Sequence, residues 1–208
     1  MPILPKQRDI FPEGLFDDSL AGSGEAWKSG RIACDEADVA LPGCDDGEHR
    51  WFAFYTLSRR EKDLMRKLEA AAVPYYAPLI SRRLRSPGGR TRMSFVPLFP
   101  GYVFSLVDDS QRRVALASNT IARCLPIVDA AEFVADMRGI KRLIDADRPL
   151  TPEARLESGQ PVRVRSGPLQ GMEGMVVKRQ GEQRLVVAVR FLNQGASIEL
   201  EDVDLEPL

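Results

Sequence analysis

The residue types that most often carry catalysis are sparse in this chain of 208 residues. It has one histidine, His49, and no cysteine or carboxylate stands at a spacing from it that indicates a shared active site. The glycine-rich stretch GPLQGMEG lacks the lysine–serine ending of a phosphate-binding loop. We therefore expect a protein that acts by binding, with no enzymatic activity and no cofactor.

The three cysteines, Cys34, Cys44 and Cys124, are odd in number and scattered. Their spacing indicates neither a disulfide framework nor a metal site. No apolar run is long enough to span a membrane, and the first residues do not resemble a signal peptide. The expectations are a cytoplasmic protein, no metal and no membrane partner.

Charge is distributed unevenly, although the net charge is only −1. Residues 1–48 hold 4 basic and 11 acidic residues, residues 49–150 hold 18 and 10, and residues 151–208 hold 7 and 9. The middle segment could therefore face a polyanion, and a basic surface without such a partner is the alternative.

Five arginines of the middle segment lie close together in a predicted loop or hairpin arm, residues 81–95, whose turn is SPGG. Arginine offers forked donors to phosphate, so the arm could meet a nucleic-acid backbone or a protein partner. No aromatic residues interleave to stack on bases, so sequence-specific reading is not predicted. A solvated loop is the alternative. The arginines are Arg82, Arg83, Arg85, Arg90 and Arg92.

Hydrophobic periodicity divides the chain into elements. Residues 1–48 show none, which indicates a disordered acidic leader. Beyond them the pattern predicts, in order, a strand over 51–57, a helix over 59–72, an irregular strand in VPYYAPLI, a strand over 101–107, a short helix in DSQRRVALAS, a strand in IARCLPIV and a helix over 130–144. Capping-box spacing precedes two of the helices, at Ser58–Glu61 and Asp129–Glu132.

This order predicts an α+β fold with a ferredoxin-like, split βαβ domain over residues 49–145. Residues 146–157 contain prolines and read as a linker. Residues 158–208 contain short alternating segments separated by glycine turns, which predicts a small β-barrel domain.

The predicted strand over 101–107 has large apolar side chains on both faces. Val103, Ser105 and Val107 suit packing against the helices, which leaves Tyr102, Phe104 and Leu106 on the open face. Tyr55 of the strand over 51–57 could join them. An open aromatic patch usually marks a contact surface, and the opposite register, with these residues in the core, is the alternative. We expect Tyr102 and Phe104 to be more exposed than Val103 and Val107.

Two sets of motifs occur in an order known from one family. The first half carries WFAFYT, APL and PLFPGYVF, and the second carries VRVRSGPLQGMEGMVV and VAVRFLNQGASIEL. On these motifs the chain from Trp51 to Leu208 resembles the NusG family of transcription elongation factors, which includes specialised paralogues such as RfaH. The first half resembles the NGN domain, and the second resembles the KOW domain, an SH3-like β-barrel.

The resemblance implies a monomeric transcription elongation or antitermination factor. Its NGN domain would bind the RNA polymerase clamp, and its KOW domain would recruit a ribosomal protein or Rho. The family's polymerase-binding pocket falls on Phe99, Tyr102 and Phe104, beside Tyr55. Related factors can touch non-template DNA where Arg59, Arg60 and Lys67 lie, and we expect Arg90 and Arg92 of the arm to lie near nucleic acid too.

In the second half, the resemblance assigns partner binding to Pro168, Leu169 and Phe191. Leu169 replaces a family phenylalanine, which leaves Rho binding open. The segment RRVALAS replaces the His-Thr-Thr-Thr stretch with which RfaH makes a second polymerase contact, so that contact is also open. A ribosome- or RNA-binding protein that acts through the KOW barrel is the alternative function. Whether the chain is a general factor or an operon-specific one stays open.

Overall fold

A computed structural model of the chain describes residues 7–16, 49–85, 89, 91–146, 150–155, 159–167, 169–179, 182–199 and 205–208. Its contacts divide the chain into two units. The first comprises Met1–Ala77 and Arg83–Val128, and the second comprises Pro78–Arg82 and Asp129–Leu208. No helix in the described ranges has the length and apolar character that a membrane span requires.

The first unit contains a five-stranded antiparallel sheet in the order β1-β3-β6-β2-β7. The strands are β1 (Ile10–Phe11), β2 (Arg50–Thr56), β3 (Tyr75–Tyr76), β6 (Tyr102–Val107) and β7 (Ile121–Pro126). The chain segment that links β3 to β6 contains β4 (Leu79–Arg85) and β5 (Thr91–Pro97). These two strands form a separate two-stranded sheet that contains most of the predicted arginine arm.

Two helices pack on the sheet of the first unit. Helix α1 (Glu61–Ala70) contacts β3 and β6, and α2 (Asp109–Leu116) contacts β6. The apolar residues that recur along α1, Leu64, Met65 and Leu68, are buried, as their spacing predicts. The two helices also contact each other, so they pack side by side on the sheet.

The capping predictions have different outcomes at the two helices concerned. Helix α1 begins at Glu61 after Arg60, with no side-chain capping hydrogen bond, so the predicted box at Ser58–Glu61 is wrong. The Glu61 carboxylate instead accepts the Gly101 N–H at 2.7 Å. At the helix over 130–145, the Asp129 carboxylate accepts the Glu132 N–H at 2.9 Å, as the spacing predicts. The Glu61 side chain therefore accepts a hydrogen bond from a distant residue and does not cap its own helix.

The second unit contains a six-stranded antiparallel sheet in the order β13-β9-β10-β11-β12-β8. Its strands are β8 (Leu150–Glu153), β9 (Gln160–Val164), β10 (Glu173–Arg179), β11 (Glu182–Val189), β12 (Gln194–Glu199) and β13 (Leu205–Pro207). Helix α3 (Ala130–Asp145) packs on β11 and β12. A Cβ atom on Gly139 would lie 3.1 Å from Val187 Cγ1, so glycine permits this close approach.

The structure differs from the predicted domain boundaries in three places. Residues 7–16 of the predicted leader form β1 and a turn, because Ile10, Leu15 and Phe16 find apolar partners; the rest of the leader lies outside the described residues. In the predicted linker, β8 pairs with β12 and Glu153 accepts the Ser197 hydroxyl at 2.6 Å. Helix α3, predicted to belong to the first domain, groups with the second unit through its buried apolar stripe.

The mixed α+β fold is confirmed by the three described helices and the antiparallel sheets. The ferredoxin-like arrangement of the first unit and the SH3-like barrel of the second stay predictions.

Candidate partner-binding site

The pairing register gathers aromatic side chains on one face of the first sheet, which we call the aromatic face. Residues directly opposite each other in an antiparallel pair share a face. Tyr55 lies opposite Tyr102, Trp51 lies opposite Leu106, and Tyr76 lies opposite Phe104. Helix α2 lies on the other face, where Arg112 stands 6.0 Å from the ring centre of Phe52. The strand register is therefore the predicted one.

Burial along this face corrects the expected exposure of Phe104, one of the four residues predicted to contact the polymerase. Tyr102 is half-buried, but Phe104 is fully buried, like Val103 and Val107, and Phe99 is 1% exposed. Phe104 sits on an inner strand, and its ring has Tyr102 and Phe99 at centroid distances of 6.4 Å each. Alternation predicts the face of a side chain but not what covers it. Phe99 and Phe104 therefore pack behind the accessible surface, and their contact with the polymerase stays a prediction.

The covered end of the aromatic face consists of Trp51 and Tyr76, which are both buried. Phe16 stacks on the Trp51 ring at 5.8 Å and meets the Tyr76 ring edge-on at 4.9 Å. Such aromatic contacts add to the free energy of plain area burial. Sequence reasoning missed this contact because Phe16 lies in a segment without periodicity.

Several polar contacts hold the segment 7–16 to the sheet edge. Ala77 donates its N–H to the Asp9 carbonyl at 2.7 Å, and the Arg8 guanidinium lies 3.3 Å from the Glu69 carboxylate. The Tyr75 hydroxyl donates to the Arg8 carbonyl at 3.0 Å. Burial, and then the neighbouring Glu69 carboxylate, raise the pKa of Tyr75, so its hydroxyl remains a donor. The segment is thus bound as part of the first unit.

The accessible end of the aromatic face consists of Tyr55, Tyr102 and Arg123. The Tyr55 side chain is 40% exposed, and its ring centre lies 5.1 Å from that of Tyr102 at an interplanar angle of 58°. Arg123 of β7 lies opposite Tyr55 and is exposed. Tyrosine combines a rigid apolar ring with a hydroxyl, and arginine adds a forked cation. This combination is typical of residues that dominate protein interfaces.

A tight turn precedes Tyr102 and sets its position. The Tyr102 N–H donates to the Phe99 carbonyl at 3.2 Å, and Gly101 has a φ of +86°. Proline followed by glycine at a positive φ is the signature of a type II turn. The Gly101 carbonyl accepts the Thr56 N–H at 2.7 Å, which ties the turn to the end of β2. The proline–glycine pair of PLFPGYVF therefore delivers Tyr102 beside Tyr55.

The predicted nucleic-acid-proximal residues Arg59, Arg60 and Lys67 lie at α1. Arg59 and Arg60 are exposed, and Arg59 adopts a left-handed φ of 59°. Lys67 donates to the Ser118 carbonyl at 2.8 Å. Lys67 is therefore partly committed to a contact within the unit.

The acid Asp63 lies among these cations. Its carboxylate is 3.3 Å from Arg60 and 3.4 Å from Lys67, and Arg66 lies 3.5 Å away. Desolvation raises the pKa of Asp63, but the neighbouring Lys67, Arg66 and Arg60 outweigh it and the pKa is lowered overall. A phosphate group that approached these cations would compete with Asp63.

Two further residues of the arginine arm were expected near nucleic acid. Arg90 lies outside the described residues. Arg92 lies on β5, and its side chain is outside the described part of the structure. The structure therefore adds no geometry to either expectation.

The predicted partner-binding residues of the second unit separate by burial. Leu169 is 5% exposed and Pro168 lies outside the described residues, whereas Phe191 is 38% exposed. The Phe191 ring meets the Phe133 ring of α3 edge-on at 6.4 Å. Leu169 is therefore a core residue and Phe191 is an accessible one, and partner binding by Pro168, Leu169 and Phe191 stays a prediction.

A buried carboxylate connects α3 to the 3-10 helix Arg190–Leu192 in the same unit. Asp136 accepts the Arg190 N–H at 2.9 Å, and Arg190 also pairs with Glu132. Burial raises the pKa of Asp136, against the opposing effect of the Arg190 N–H and charge. This network fixes the segment that carries Phe191.

One comparison with known proteins identifies a family. Residues 49–151 match the family model NusG, described as transcription termination factor NusG, whereas no curated protein matches the chain. The matched range includes β2, β6 and β7, and with them the accessible end of the aromatic face. Factors of this family act in transcription elongation and termination and generally bind RNA polymerase. The chain therefore belongs to the NusG family.

Proposed function

We propose that this protein is a transcription elongation or antitermination factor that binds the RNA polymerase clamp through the accessible end of the aromatic face. One observation carries the proposal. Tyr55 and Tyr102 stand side by side and partly exposed on a face whose other large rings are buried. An aromatic pair left accessible on an otherwise covered sheet face marks a contact surface.

The size and chemistry of this surface fit a helical partner. Burying a large apolar side chain contributes about 1.5–3 kcal/mol, so two tyrosines give a modest affinity after the costs of association. The exposed Arg123 beside them would pair with a carboxylate of the partner. A helix laid across the two rings meets these requirements, and the resemblance to NGN domains supplies the clamp helices as that partner.

The second unit is proposed to recruit a second factor, a ribosomal protein or Rho. Support comes from Phe191, an exposed aromatic residue held in place by Phe133 and by the Arg190–Asp136 contact. Arg59 and Arg60 are proposed to lie near nucleic acid in the polymerase complex, because both are exposed and positively charged. These roles depend on separate surfaces and can be tested separately.

The test compares the full chain with a Tyr55→Ala/Tyr102→Ala variant. We expect the affinity for core RNA polymerase, measured by biolayer interferometry, to fall about 100-fold or more, because two central aromatic anchors are lost. Circular dichroism and the melting temperature should change little, since both side chains are partly exposed.

The matched control is Val128→Ala, which truncates an apolar side chain that is 96% exposed. This variant should bind polymerase like the unmodified chain. A folded double-tyrosine variant that still binds polymerase would contradict the proposal. If polymerase binding is absent and ribosome or RNA binding persists in the same variant, the second unit carries the main function instead.

A further inference from the structure

We propose that Glu61 is a positioning residue of the polymerase-binding surface: its carboxylate holds the turn that places Tyr102 beside Tyr55. This inference rests on the proposed function above. It adds a residue that lies on a different element, helix α1, from the two tyrosines.

The hydrogen bond uses a group that the turn itself cannot satisfy. In a type II turn the central peptide, here Pro100–Gly101, does not take part in the turn's own hydrogen bond. The Gly101 N–H donates instead to Glu61 Oε1 at 2.7 Å. Glu61 is 9% exposed, so little water competes for its carboxylate. A charge-assisted hydrogen bond in such a place is stronger than one between neutral groups.

The same glycine is held from its other side. Its carbonyl accepts the Thr56 N–H at 2.7 Å, and Thr56 is the last residue of β2. The pairing of β2 with β7 is irregular between Tyr55 and Thr56, so the regular ladder does not fix this point. Glu61 and Thr56 together therefore clamp both peptide groups of Gly101.

The Tyr55 ring lies where a side chain on Gly101 would begin. A Cβ atom at this position would lie 2.8 Å from Tyr55 Cε2 and 3.4 Å from Cδ2. A shift of the turn would therefore move the surface on which the Tyr55 ring rests. It would also move Tyr102, the next residue in the chain. Glu61 thus controls both rings through one backbone contact.

The choice of glutamate is explained by this role rather than by helix capping. Glu61 stands in the first turn of α1, where a negative charge is favourable, yet it makes no capping hydrogen bond. Asp63 stands in the same turn and carries the same charge, but its carboxylate pairs with Arg60, Arg66 and Lys67. The Glu61 carboxylate therefore contacts the turn that precedes Tyr102, whereas the Asp63 carboxylate pairs with the cations around α1.

The experiment compares Glu61→Ala and Glu61→Gln in the full chain, with Asp63→Ala as the matched control. Free protein is studied by NMR, through the exchange rate of the Gly101 amide and the ring signals of Tyr55 and Tyr102. Affinity for core RNA polymerase is measured in parallel. Glu61→Ala should speed Gly101 exchange about tenfold or more, shift both ring signals and weaken polymerase binding about tenfold.

The conservative variant separates positioning from a general loss of stability. Glu61→Gln keeps an oxygen acceptor, so it should restore the ring signals and stay within about threefold of the unmodified affinity. Asp63→Ala removes the same charge from the same helical turn and should leave the Gly101 exchange rate and both ring signals unchanged.

Each result bears on one proposal. Unchanged Gly101 exchange and ring signals in folded Glu61→Ala would overturn the positioning role, whatever the affinity. Altered signals with full affinity would show that the pair does not need this geometry for binding, and would also overturn it. If the unmodified chain does not bind polymerase, the proposed function fails, and the ring signals still decide whether Glu61 orders the tyrosine pair.

Discussion

The two ends of the aromatic face use the same residue types for different purposes. At the covered end, Trp51 and Tyr76 lie beneath Phe16 and belong to the core. At the accessible end, Tyr55 and Tyr102 pack against each other and remain partly exposed. Trp51 and Tyr55 both lie on β2, Tyr102 lies on the adjacent strand β6, and Tyr76 lies on β3, the next strand beyond β6. What distinguishes the two ends is the segment around Phe16, which lies over the covered end. This difference predicts that truncation lowers stability at the covered end and partner binding at the accessible end.

The comparison implies a separation of stability from binding along one sheet face. Truncating an aromatic residue at the covered end leaves a cavity, which costs free energy of unfolding. Truncating one at the accessible end removes a contact that forms only with a partner. Phe104 lies between the two ends, and its full burial places it with the core.

The largest expected effect on stability is that of Phe104→Ala. Because the ring is fully buried and contacts Phe99 and Tyr102, its removal should lower the free energy of unfolding by about 3–5 kcal/mol. Urea denaturation followed by circular dichroism measures this loss. Leu106→Ala, at a half-buried position on the same strand, is the control and should cost clearly less. A loss below about 1 kcal/mol would show that Phe104 belongs to the accessible surface.

A smaller loss is expected for Phe16→Ala, which uncovers the covered end. The free energy of unfolding should fall by about 2–3 kcal/mol, below the usual range for phenylalanine because a segment near the terminus can relax. Tryptophan fluorescence should shift to longer wavelength as Trp51 becomes exposed. Affinity for polymerase should change less than about threefold, since Tyr55 and Tyr102 are untouched.

The control for Phe16→Ala is Phe11→Ala, which removes another ring from the same segment. The Phe11 ring stacks on Tyr75 at a centroid distance of 6.3 Å and not on Trp51. It should leave the fluorescence unchanged. If Phe16→Ala instead raises or abolishes polymerase binding, the two ends act as one surface and the separation proposed here is wrong.

Regular elements in both units could be predicted because their signals are local. Aromatic and β-branched composition predicted a strand over 51–57, which is Arg50–Thr56 in the structure, and helical spacing predicted the helix over 130–144, which is Ala130–Asp145. The faces of β6 were predicted from the alternation of its own side chains. Period-based reasoning needs only neighbouring residues, so it also placed Tyr55 and Tyr102 on one face.

The features that could not be predicted depend on contacts between distant parts of the chain. Strand β1 has two residues, too few for a period, and Phe16 docks on Trp51 across a segment with no pattern. The Ser58–Glu61 spacing fits a local helix cap, yet the Glu61 carboxylate accepts the N–H of Gly101, which lies 40 residues away in the chain. In each case a tertiary partner outweighs the local preference.

The smallest expected effect concerns Arg59, which follows the accessible end of β2 and was predicted to lie near nucleic acid. Its φ of 59° is costly for a residue with a side chain and not for glycine. Arg59→Gly should therefore be more stable than Arg59→Ala by about 0.5–1 kcal/mol in urea denaturation, because both lose the charge and only glycine relieves the strain.

Binding separates this position from the tyrosine pair. Both Arg59 variants should bind free core polymerase like the unmodified chain but bind an elongation complex about two- to threefold more weakly at low salt. Arg59→Lys, which keeps the charge, should restore that affinity. An equal loss of affinity for free polymerase and for the elongation complex would extend the protein-contact surface from Tyr55 to Arg59, and would remove the evidence for a nucleic-acid contact at this end of the face.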